Sequence, residues 1–238
     1  ALLVDRSFVA VPVLWQLLDV NVLREEPLLS LYYMHMQPPL YNAMLAAALA
    51  LPGNLASWAL GTVFLSLTFA AIAIVYFFLR RWLFSAYAAA TLAALFSLMP
   101  QVLFYENIFL YAHLEATFAL FAMYFAATYG AMHRTGSFVA FAASLTVLAL
   151  VRSVFHIAWV AVALLTVWWV AGPRRPRDRR GLVAAALSLL LVLAVYAKNY
   201  HEFGVFATSS WQGISMAQMS LPITPPDYEN VPETVADF

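Results

Sequence analysis

The chain has 238 residues, of which 64% are hydrophobic and 10% charged, against about 25% charged and 45–50% apolar in a soluble domain. Its 12 basic and 12 acidic residues cancel to a formal charge of zero, and it has no cysteine. An ordinary water-soluble globule, a polybasic nucleic-acid binder, disulfides and thiolate chemistry are thereby excluded, and the expected class is an all-α, polytopic integral membrane protein.

The chain opens on Ala1, with no basic n-region and cleavage site ahead of its apolar stretches, so it reads as a piece of a longer protein. Val11, Trp15, Leu18 and Val22 recur at helical spacing while Gln16, Asp19 and Glu26 fall mostly elsewhere, the pattern of a helix lying flat at a membrane interface. Pro38 and Pro39 stand where a helix should start, because a first-turn proline lacks only an N–H that would be unpaired anyway. The spacing predicts a helix there, resting against the outer membrane surface up to Leu51.

Six apolar runs follow, at about 55–79, 84–104, 108–131, 137–151, 155–171 and 182–197, and each is read as one crossing of a bilayer core that takes roughly 17–25 helical residues. The connections carry Arg80-Arg81, Glu106-Asn107, His133-Arg134, Arg152-Ser153, the run Arg174 to Arg180, and Lys198-Asn199. The first, third and fifth hold eight of the 12 basic residues, which assigns them to the cytoplasm by the positive-inside bias. Asp178 is the one acid on that side. Both Arg134 and Arg174 can stay inside only if the chain between them crosses twice, with its turn at Arg152 to His156. Residues 1–54 then form a first extracytoplasmic loop with juxtamembrane helices, 55–198 a six-helix bundle, and 199–238 the start of a second outer loop, Pro-rich to its end at Phe238.

An ionisable residue in or at the edge of such a bundle is costly and marks a functional candidate. Asp5, His35, Glu106, His113, Glu115, Arg152, His156 and Lys198 all map to the outer side, which is economically explained by one outward-facing polar pocket. Glu115, expected roughly 10 Å inside a helix that starts near Ile108, needs a partner, for which Arg152 and His156 are the candidates. His113 does not share its face and reads as a bundle histidine. The stretch Phe203 to Gly213 mixes aromatic, hydroxyl and glycine residues suited to sugar or headgroup contact.

The segment Tyr32-Tyr33-Met34-His35-Met36-Gln37-Pro38-Pro39-Leu40, some thirty residues after an acid near the chain start, resembles the motif that opens a juxtamembrane helix in the GT-C superfamily of membrane glycosyltransferases. The similarity is greatest to protein O-mannosyltransferases and aminoarabinose-lipid A transferases, and it covers most of the chain. It implies a GT-C type helical bundle with surface helices in its first outer loop. Asp5 would be the catalytic acid residue, acting as base toward the acceptor hydroxyl, and the helix start at Gln37-Pro38-Pro39 would approach a lipid phosphate. Lys198, Arg152 and His35 would stabilise that phosphate as it leaves, and Glu106, His156 and Asn199 would contact substrate. The donor implied is a sugar on a polyprenyl phosphate, and the acceptor an extracytoplasmic glycan, protein or lipid. This chain has Arg6 where many relatives carry a second acid, and its His35 stands two residues before the mannosyltransferase histidine.

No Walker loop, dinucleotide fingerprint, zinc-protease motif or nucleophile elbow occurs. A divalent cation near Asp5 is compatible with the chemistry, though no recognisable ligand spacing marks one. Two other functions fit an outward ionisable cluster. One is a catalytically inactive lipid-binding subunit. The other is a transporter or flippase of a lipid-linked substrate, which should show broken helices and inverted repeats, and neither is visible in the sequence. The Arg-over-Lys bias and Ala-rich helices suggest a bacterial plasma membrane.

Overall fold

The computed structural model describes residues 18–81, 84–170 and 179–211, and every regular element among them is a helix. Asp5, the first part of the N-terminal amphipathic pattern, Arg174, Arg175, Arg177 and Asp178, and everything after Trp211 lie outside the described residues.

Three short helices come first. In α1 (Val20–Glu25) the Asp19 carboxylate caps the start by accepting the Asn21 N–H at 2.7 Å, satisfying one of the donors a helix start leaves open. Pro27 opens α2 (Pro27–Tyr33). Directly after the paired prolines comes α3 (Leu40–Leu49), with Pro39 at its N-cap, as the proline spacing predicts. One side of it is closed into the protein core. Tyr41, Asn42, Leu45 and Leu49 are buried, packed with Leu23, Leu60, Phe64, Phe109, Leu114 and Val151. Apart from Asn42 its central residues are apolar on every side, so it has no polar face to turn outward.

Among the described residues two helices are long and apolar enough to cross a membrane: α4 (Leu55–Arg81, 27 residues) and α10 (Arg179–Phe203, 25 residues). The run expected at 84–104 as one unbroken crossing is two helices, α5 (Ala86–Ser97) and α6 (Pro100–Asn107), bent by 54° and counting as a third span only when taken together. Pro100 is the cause. Its ring would clash within a continuing helix and it has no N–H to donate, so α5 ends and α6 restarts with Pro100 in its first turn.

The remaining runs form α7 (Tyr111–Met132), α8 (Thr135–Val151) and α9 (Ile157–Val170). At 17 and 14 residues, α8 and α9 are apolar but short for a crossing. His133, at φ +50°, closes α7 in the left-handed region, and its N–H returns to the Tyr129 carbonyl at 2.8 Å. The turn at Arg152 to His156 lies where the charge parity requires it.

Phe138, Phe141, Leu145 and Leu148 of α8 pack on Tyr129 of α7, Val160 and Leu164 of α9, and Val192 and Tyr196 of α10. On the other side α4 and α7 run in the same direction. Thr68 Oγ1, midway along α4, meets His113 Nε2 at 3.1 Å near the start of α7, and Arg81 Nη1 donates to Thr128 Oγ1 at 3.4 Å near the ends of both. The helix ends are thus sorted by charge. Arg80, Arg81, Arg134, Arg179 and Arg180 occupy one end with no described acid among them, while Asp19, Glu25, Glu26, Glu106, Glu115 and Glu202 all belong to the other.

Candidate functional site

At the acidic end, the connection between α2 and α3 is clasped by the end of α10. The sequence places Lys198 and Asn199 in a loop, but α10 continues through them to Phe203 and stops at Gly204, whose φ of +69° suits a residue without Cβ. The last turns of α10 therefore hold these side chains rigidly. Lys198 Nζ donates to the main-chain carbonyls of Tyr32 at 2.9 Å and Met34 at 2.7 Å, and lies 5.6 Å from the Phe203 ring centre. Tyr32 Oη donates to Glu202 Oε1 at 2.5 Å, and this bond raises the Tyr32 phenol above its ordinary pKa.

The chain after α10 adds further ties. The Ser210 N–H donates to the His35 carbonyl at 2.8 Å, His35 Nδ1 lies 2.9 Å from Ser210 Oγ, and Ser209 Oγ donates to the Met36 carbonyl. The His35 ring packs on Phe203 with centroids 4.3 Å apart. Asn199, fully buried, donates to the Ala207 carbonyl at 2.7 Å and fixes the return of the chain. Gln37, half-buried, follows His35 at the foot of α3.

Beside this clasp lies an open groove of about 360 Å³ between α2 and α10, bounded by Leu28, Leu31, Tyr32, Pro39, Ala194, Val195 and Lys198. Its walls are apolar except at the end where the Lys198 ammonium and the Tyr32 main chain meet. An amphiphile with an anionic head and a hydrocarbon tail matches that distribution, with the ammonium acting as a point charge toward the head.

A second polar cluster lies at the same end of the bundle. Arg152 Nη1 and Glu115 Oε2 are 2.8 Å apart, with the two side chains 42% and 24% exposed. Because α7 starts at Tyr111 rather than near Ile108, Glu115 is only about 6 Å into its helix at the helical rise, shallower than the sequence implied. Partial burial pulls the Arg152 guanidinium down, but the hydrogen bond and charge of Glu115 outweigh it and hold the group above its ordinary value. The guanidinium carbon also sits 5.3 Å from the centre of the Tyr111 ring, which in turn packs edge-on against Tyr41. His156 is not the partner of Glu115. Its Nδ1 accepts the Ala158 N–H at 3.1 Å and its ring packs edge-on against Tyr196.

Of the sequence candidates, His35, Gln37, Lys198 and Asn199 are brought together, while Arg152 and His156 share the short turn after α8. Glu106 stands apart at the end of α6, half-buried, with no hydrogen bond or ion pair among the described residues. Asp5 lies outside them. His113 is buried, bonded to Thr68 and stacked on Phe64, as expected of a packing residue. Sequence reasoning missed the roles of Tyr32 and Glu202, whose only signal was a tyrosine pair and an acid on the outer side. Among the described residues no group of three or more His, Asp or Glu side chains could hold a metal. No protein family, curated protein or solved structure matches this chain.

Proposed function

We propose that the chain is a membrane glycosyltransferase of GT-C type that moves a sugar from a polyprenyl phosphate to a hydroxyl on the extracytoplasmic side. The observation that carries this reading is the open groove between α2 and α10, lined mostly by apolar side chains and bordered by Lys198 and by Pro39 at the start of α3. In this reading the arginine-bearing ends of the spanning helices face the cytoplasm, and the Lys198 end of the groove faces the outer leaflet.

In the reaction, Asp5 takes the proton of the acceptor hydroxyl as its oxygen attacks the anomeric carbon. The bond from that carbon to the phosphate oxygen breaks, and the lipid phosphate leaves with its charge held by Lys198. All three cations that the sequence offers for this role have partners: Arg152 pairs with Glu115, His35 with Ser210, and Lys198 bonds the Tyr32 and Met34 carbonyls, with a third N–H left for a phosphate. Lys198 is the one that borders the groove. A single displacement inverts the anomeric configuration. Asp5→Asn should abolish transfer of sugar from a polyprenyl-phosphate donor while the donor still binds, and the product should have the opposite anomeric configuration to the donor. Undiminished transfer would remove Asp5 from the mechanism, and a retained configuration would contradict the single displacement.

One observation favours the transporter or flippase reading: the break between α5 and α6, of the kind that discontinuous transporter helices show. In that case lipid-linked sugar would change leaflets in vesicles containing the protein, with no sugar reaching an acceptor.

A further inference from the structure

The seam between α4 and α7 changes character along its length. Midway along α4 and near the start of α7 it is closed by Phe64 stacked on His113 and by the Thr68–His113 hydrogen bond. Farther along it opens into a slot of about 100 Å³ lined only by Ile74, Val75, Phe78, Leu79, Leu120 and Met123. Immediately beyond, the α4 helix ends in Arg80 and Arg81, and Arg81 reaches across the seam to Thr128 of α7. The slot therefore occupies the two turns before an arginine pair, roughly 10 Å at the helical rise.

The electrostatics at that end are one-sided. One N–H of Arg81 goes to Thr128 at a long 3.4 Å, and one of Arg80 to the Phe84 carbonyl at 2.7 Å. The other guanidinium donors of the pair meet no acceptor among the described residues, and no described acid shares this end of the bundle. Two planar forks that are always charged, beside a slot with no polar wall, fit a phosphate ester joined to a hydrocarbon chain. Zwitterionic heads fit less well, since their own cation would face the arginines.

We infer that the α4–α7 seam binds an anionic phospholipid of the leaflet on the arginine-bearing side, with an acyl chain along Ile74, Phe78 and Met123 and the phosphate on Arg80 and Arg81. This needs only that the bundle sits in a bilayer, and it stands or falls independently of sugar transfer.

The test uses the purified chain in a neutral detergent, titrated with phosphatidylglycerol and with phosphatidylcholine and read by native mass spectrometry. One phosphatidylglycerol should be retained in preference to phosphatidylcholine. The R80Q/R81Q double variant should lose that preference by about thirtyfold, on the scale of a kilocalorie for each of the two basic residues near an anionic headgroup. Met123→Trp, at a 62% exposed position where added bulk fills the slot without touching the core, should weaken retention with both arginines intact. R179Q/R180Q should leave retention unchanged. Equal retention of the two lipids by the unaltered chain, full retention by R80Q/R81Q or by Met123→Trp, or an equal loss in R179Q/R180Q would overturn the site. The last of these would show a diffuse attraction to arginines in place of a seat.

Discussion

Replacing Lys198 by Met keeps an unbranched stem as long as the lysine's carbon chain and removes its ammonium, which isolates the clasp between α10 and the α2–α3 connection. Hydrogen bonds to a charged group contribute about 1.5–3 kcal/mol each, and Lys198 makes two, to the carbonyls of Tyr32 and Met34. The sum is not fully realised. Lys198 is only partly buried, so water competes for the ammonium, and Tyr32 is 46% exposed, so its carbonyl is readily rehydrated. Met34 is 7% exposed, and its carbonyl bears most of the loss. A net cost of about 2 kcal/mol to local closure follows, equal to roughly thirtyfold in the opening equilibrium. Hydrogen exchange followed by mass spectrometry reads this directly in peptides covering residues 27–37. Their protection should fall by about that factor, while residues 135–151, in the other half of the core, keep theirs. Protection of 27–37 within about threefold of the unaltered chain would refute the clasp.

A double-mutant cycle of Glu115→Gln and Arg152→Met, followed by unfolding in detergent, should give a coupling of about 1 kcal/mol, between the values of surface and buried pairs as the partial exposure of both side chains requires. Coupling below about 0.3 kcal/mol would mean that the pair is not formed. Phe64→Ala should destabilise the chain by about 3–5 kcal/mol, since Phe64 is 0% exposed between Phe109 and His113. A loss under about 1 kcal/mol would contradict that packing.

The parts of the fold that depend on local chemistry are legible in the sequence. Arg80-Arg81 and His133-Arg134 interrupt apolar runs and mark real helix ends, and the Pro38-Pro39 pair marks a real helix start. The Glu115–Arg152 pair is legible because a charge at a bundle's edge requires a partner, and the candidates are few. The α5–α6 break is written in the sequence as Pro100, but averaging hydrophobicity over a window hides a single proline inside an apolar stretch.

The end of α10 was misplaced for the opposite reason. Lys198 to Glu202 are polar yet good enough helix formers, so the drop in hydropathy marks a change of surroundings, and the actual stop is Gly204. The clasp itself was not legible. Lys198 bonds to main-chain carbonyls 166 and 164 residues away, and a carbonyl has no side-chain identity by which a sequence could announce it. Burial of α3 escaped for a similar cause, because its enclosure depends on Leu23 of α1, Leu60 of α4 and Phe109 of the α6–α7 connection.

The central claim is that the charge-sorted ends of the bundle lie on opposite sides of a membrane, with Lys198 and its groove away from the cytoplasm. The absence of cysteine makes the decisive measurement simple: single cysteines introduced as Asn107→Cys and Thr135→Cys, each exposed in intact cells to a thiol reagent that cannot cross the membrane. The account predicts labelling of the cysteine at position 107 and none at 135 until the cells are opened. Labelling at 135 with protection at 107 would turn the bundle over and put the groove on the cytoplasmic side, where a polyprenyl-phosphate sugar of the outer leaflet cannot reach it.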